Sequence, residues 1–297
     1  YKSMKKSMKF YLGGAILFAL PLFLTSCEGT LDDVFGEWSR PSGNNSNTDS
    51  DKDKEKSSNT YLKWNGTDAL VATALPESFK KMSASETTWS GTYIVDEDIE
   101  ITGNVTLGGD VDLIILDGKT LSLSSDKNIV YLGTEGYKLN IYSQSNGDGA
   151  GTLSVSTTSE DKYPIYDNGT LNIHSGIVNA TASGDVNQGI FAKNMNVYGG
   201  SVTAKGTLQG IMIDKNLSVY GGVVKGTGTV SSTGSAGVGL FVNALLTINK
   251  GEVTGIGGSA ASGNNPGGSG IIAYQITFKD GTITGTGGCG YGNGMGL

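Results

Sequence analysis

Through the C-terminal half of the chain, apolar and polar residues alternate in short runs broken by glycine, and the runs return in a fixed order. In the first clear copy Leu171 and Ile173 precede Gly176, and Val178 and Ala180 follow it. Gap-free copies occupy 171–180, 195–204, 217–226, 246–255 and 276–285, with turn glycines at Gly176, Gly200, Gly222, Gly251 and Gly281. A period of two predicts β-strands, and a glycine between two such runs predicts a bend joining strands that share one interior. The turn glycines stand 24, 22, 29 and 30 residues apart, the size of one solenoid coil.

A second marker, glycine followed by an aliphatic residue, falls at Gly189-Ile190, Gly210-Ile211, Gly239-Leu240 and Gly270-Ile271. From marker to turn glycine the distance is 11 or 12 residues; from turn glycine to marker it runs from 10 to 19. Stacked coils tolerate insertions only where these bulge into solvent, so one corner of the coil is variable and the rest is fixed. The expected fold is all-β, a right-handed parallel β-helix of about 22–30 residues per coil over 88–297. Its first coils are expected at 89–103 and 111–123, followed by Leu139–Tyr142 and Gly151–Val155. Leu75–Met82 is expected to be a short helix covering the open first rung, within a cap region at 60–87. Gly296-Leu297 fall where the next marker belongs, so further coils are expected downstream.

The N-terminal part follows a different pattern. Four lysines precede an apolar run from Phe10 to Leu24 that ends in Leu24-Thr25-Ser26-Cys27. Fifteen apolar residues are short of the ~20 that a membrane span needs, and the order of segments is that of an export signal at 1–26. Its start is expected at Met4 or Met8. Residues 27–59 form a linker: from Pro41 to Ser58 there is no hydrophobic residue with which to build a core.

The tetrapeptide before the linker resembles the lipobox of bacterial lipoproteins, which implies that Cys27 is lipidated and anchors the chain to the outer membrane. The acidic stretch Glu28–Trp38 resembles the start of mature surface lipoproteins of gut Bacteroidetes, which implies display on the cell surface. The coil order and the repeats of 88–297 resemble the pectate-lyase-like β-helix domains of adhesins and carbohydrate-binding lipoproteins.

Composition narrows the partners. Glycine supplies 47 of 297 residues, which an architecture of stacked corners explains. Two cysteines rule out a disulfide scaffold, and Cys289, in a glycine-rich loop, is expected either to be tolerated by chance or to pair with a cysteine downstream, and receives no role. Arg40 is the single arginine and acids outnumber bases 28 to 21, so nucleic acid is not an expected partner. Loss of the four signal-peptide lysines takes the net charge from −7 to −11.

Outward positions of a β-helix stack coil upon coil about 4.8 Å apart, which places Tyr142, His174, Tyr198, Tyr220, Asn249 and Lys279 in one column. Its aromatic members suit stacking against sugar rings, and His174 is expected at the surface. At the variable corner Asp185, Asn187, Asn264, Asn265, Tyr291 and Asn293 are loop candidates. Ca²⁺ is possible there, but six or more oxygens are needed and Asp185 supplies the one carboxylate, so no cofactor or metal is expected. Catalytic residues are not evident: Asp185, Asp214, Glu252 and Asp280 share no column, and His174 lacks triad partners. The expected function is binding of polysaccharide or glycoconjugate without turnover, by a monomer. The alternatives are a polysaccharide lyase or glycoside hydrolase with its site in downstream coils, and a passive surface scaffold.

Overall fold

Columns of aliphatic side chains, one per coil, set the architecture. In the computed structural model Leu121, Leu153, Val178, Val202, Val224 and Val253 lie in register on successive parallel strands and are fully buried. Each such side chain contributes about 1.5–3 kcal/mol by leaving water. The structure describes residues 59–125, 130–132, 136–160, 162–185, 187–231, 233–261, 265–290 and 295–296. These lie within one compact unit, Asp51–Leu297.

The described residues form 21 strands in three sheets. Thr60–Trp64 (β1) and Leu70–Ala74 (β2) make an antiparallel hairpin. Lys80–Lys81 (β3) and Thr88–Val95 (β4) begin the coils, pairing parallel to one another. Beyond them an eight-stranded parallel sheet runs from Ile99–Thr102 to Thr282–Thr286, its strands stacked in chain order. An eleven-stranded parallel sheet forms the rest of each coil and itself turns a corner: its register shifts between Asp167 and Thr170 and between Val242 and Leu245. At that corner other coils split into two strands, as at Gln209–Ile213 and Asn216–Val219. The described residues therefore form an all-β parallel solenoid, as the repeat predicts.

The turn glycines form a column of their own. All five have positive φ, from 69° at Gly200 to 101° at Gly251. A Cβ on any of them would be driven against the carbonyl of the glycine one coil earlier, Gly200 onto Gly176 and Gly222 onto Gly200. The marker glycines meet a second backbone wall: a Cβ on Gly210 or Gly239 would strike the strand beside it and the next marker's carbonyl.

One expectation is overturned. Leu75–Met82 is not helical: Lys80 and Lys81 pair with Tyr93 and Ile94, and Met82 buries its side chain in the core. The first rung is thus covered by extended chain, because a parallel strand edge offers backbone partners that an isolated helical turn does not. In the last described coil Ile276 and Phe278 are 41% and 40% exposed, whereas their partners Leu246 and Ile248 are buried.

Candidate functional site

The fourth residue of each repeat points outward beside the turn glycine, and parallel register brings these residues into a ladder. Tyr142 stacks on His174 at 4.5 Å between ring centroids, His174 on Tyr198 at 4.7 Å and Tyr198 on Tyr220 at 5.1 Å, with interplanar angles of 18°, 26° and 20°. These are stacked pairs, in which each inner ring turns its faces to its neighbours. The column continues without rings through Asn249, whose Oδ1 accepts a hydrogen bond from Lys279 Nζ at 2.8 Å.

The hairpin lies across this ladder. Tyr61 meets Tyr142 edge-on at 5.0 Å, and Trp64 stacks on Tyr198 at 5.2 Å and tilts against Tyr220 at 5.4 Å. The Trp64 amide donates to His174 Nδ1 at 3.1 Å, and Ser175 Oγ donates to the Leu62 carbonyl at 3.1 Å. Gly199 makes the approach possible, since a Cβ there would come within 2.5 Å of Leu70 Cδ1. His174 is consequently only 8% exposed and Tyr142 3%, which corrects the expectation that His174 is a surface residue. Burial, with a smaller effect of Lys63, lowers the His174 pKa to about 4, so the ring is neutral and Nδ1 is free to accept. Burial likewise raises the pKa of Tyr142, with Asp112 as the next cause.

The ladder emerges only at its downstream end. There a groove of about 780 Å³ runs along the hairpin. Trp64, Tyr198 and Tyr220 form its aromatic wall; the pairs Gly199-Gly200 and Gly221-Gly222, with Gly251, leave backbone as its floor. Asp68 on the hairpin turn, Asn146 and Asp148 on the adjoining turn, and Lys250 supply its polar groups. The space is an open groove in which aromatic ring surface adjoins a few polar groups.

Two further columns escape a reading of the repeat by its glycines. Asn140 Nδ2 donates to Asp112 Oδ1, Asn172 to Asn140 and Asn196 to Asn172, at 2.8, 2.8 and 2.9 Å, an amide ladder beside the aromatic one. Its signal is the asparagine in second place of the copies at 139, 171 and 195. On the adjoining face Tyr166 stacks on Phe191 at 4.9 Å, with Tyr163 at 5.4 Å from Tyr166, and the register continues through Met212 and Phe241.

Of the variable-corner candidates Asp185, Asn187 and Asn265 lie within the described residues. Asn187 is fully buried: its Oδ1 accepts from the Lys162 amide at 3.0 Å and its Nδ2 donates to the Ser159 carbonyl at 2.6 Å, so it ties coils together instead of offering a ligand. Asp185 is half-buried and Asn265 donates to the Thr233 carbonyl at 3.5 Å. Cys27, Asn264, Tyr291 and Asn293 lie outside the described residues. Asp214 is 3.5 Å from Lys215 and accepts from Asn243 Nδ2 of the next coil at 3.5 Å, Glu252 accepts from Thr254 at 3.3 Å, and Asp280 accepts from the Gly281 amide at 2.8 Å. Among the described residues no group of three or more His, Cys, Asp or Glu side chains is placed to hold a metal ion.

Compared with known protein families, curated proteins and solved structures, the chain matches none.

Proposed function

We propose that the chain is a surface-displayed glycan-binding lipoprotein, exported by residues 1–26, anchored to the outer membrane through Cys27 and carried on the linker at 27–59. Its solenoid winds as a right-handed parallel β-helix, the hand that parallel crossovers favour. It captures polysaccharide or glycoconjugate without turnover, as a monomer.

The observation that carries this reading is the groove beside the hairpin. Trp64 and Tyr220 present ring surface where the ladder ends, and the glycine floor brings peptide donors and acceptors within reach of sugar hydroxyls. The column as a whole does not serve, because its inner rings are stacked on each other and its upstream half lies under β1. Binding is thereby confined to one end of the ladder.

The test is a glycan array probed with the exported chain, each binding glycan then being incubated with the protein and assayed for released sugar. Capture is expected for a subset of glycans, with no sugar released, and is expected to weaken at least about tenfold in Trp64→Ala. Release of sugar moves the protein to the enzyme class. Silence across the array leaves a passive scaffold.

A further inference from the structure

The charges around the groove bear on which glycans it takes. Two carboxylates face the space, Asp68 from the tip of the hairpin and Asp148 from the turn opposite, against Lys250 as the single basic side chain among the described residues that line it. Asp68 is held in place, its Oδ1 accepting from Asn65 Nδ2 and from Thr67 Oγ1, each at 3.0 Å. Those hydrogen bonds keep its carboxyl below the usual carboxylate range, so the charge persists into acid. The chain as a whole is acidic, with 28 acids to 21 bases, and supplies no long-range pull on an anion.

The non-charged surface points the same way. Ring surface of Trp64 and Tyr220 gains from covering the C–H faces of a sugar, and that gain is unaffected by charge on the ligand. A carboxylate or sulfate brought into the groove would instead meet two carboxylates against one ammonium, a net like charge. Its hydroxyl-bearing counterpart meets only groups able to donate or accept hydrogen bonds.

We infer that the groove selects uncharged sugar chains and rejects those bearing carboxylates or sulfates. This rests on the reading of the groove as a glycan site. It is tested by calorimetric titration of the exported chain with matched pairs: neutral oligosaccharides and the same oligosaccharides oxidised to uronates at C6.

At low salt the uronate of each pair is expected to bind at least about tenfold more weakly than its neutral partner, and the gap to narrow in molar salt. Asp148→Asn, and Asp68→Asn with it, should strengthen uronate binding severalfold. Asp148 is exposed, so its change leaves the fold intact even if the hairpin turn proves sensitive at Asp68. Uronates that bind the parent chain as tightly as their partners, with both lost in Tyr220→Ala, overturn the selectivity and leave the groove standing. Sugars of either kind that bind without responding to Tyr220→Ala remove the groove reading, and this inference with it.

Discussion

Asp167 and His174 are two buried titratable side chains with opposite consequences. Asp167 lies at the corner where the larger sheet bends; its Oδ1 accepts from the Gly169 amide, and its Oδ2 has no partner among the described residues. Full burial pushes its pKa up to about 7, above the 3.8 of the free group. The folded state therefore holds a proton that the unfolded state releases, and the stability this gives is present below pH ~4 and lost as pH rises through 7. His174 runs the other way. Its pKa falls from 6.5 to about 4, so its stability is present above pH 6.5 and lost as pH falls through 4. Each is worth on the order of 3–4 kcal/mol at ~1.4 kcal/mol per unit, and in the parent chain they largely cancel between pH 4 and 6.5. Urea denaturation across this range should separate them: Asp167→Asn is expected to lose stability on acidification, and His174→Gln to gain it. Parallel pH profiles for the two variants would contradict the account.

At the level of elements, the glycine corners make the sharpest claim. Gly118 and Gly222 have nearly the same φ, +71° and +73°, but a Cβ at Gly118 meets nothing within 4 Å while one at Gly222 runs into Gly199 and Gly200. Gly118→Ala should cost only the backbone term of about 1–2 kcal/mol, and Gly222→Ala at least twice that, read from thermal or urea melts. Equal losses would mean that the corner column can open to admit a methyl group. These corners are legible in the sequence because the same residue recurs at the same place in every copy. The hairpin is not, because neither Thr60–Trp64 nor Leu70–Ala74 belongs to the repeat, and the bonds that seat it join Trp64 and Leu62 to His174 and Ser175, more than 100 residues away. The stretch 75–82 misleads for a related reason: Met82 and the edge of β4 decide its conformation, and neither is visible in the local pattern. The aromatic column could be read from spacing, but whether its faces were open depended on the hairpin.

For the whole molecule, function is confined by what the solenoid leaves uncovered. Stacking buries one ring against the next, β1 closes the upstream end, and the exposed remainder is a groove at the boundary between repeat and non-repeat sequence. Residues of distant origin meet there: Trp64 and Asp68 from the hairpin, Asp148 from an early coil, Tyr220 and Lys250 from later ones. A reading of the repeat alone finds Tyr198 and Tyr220 and misses Trp64. The most direct measurement is calorimetric titration of a binding neutral oligosaccharide into the parent chain and into Tyr220→Ala, whose ring ends the ladder against Tyr198 and Trp64. A loss of affinity of about tenfold or more, in a variant that still melts cooperatively at a modestly lower temperature, is the predicted result. Undiminished binding in a folded Tyr220→Ala would place the sugar elsewhere and contradict the assignment of the groove.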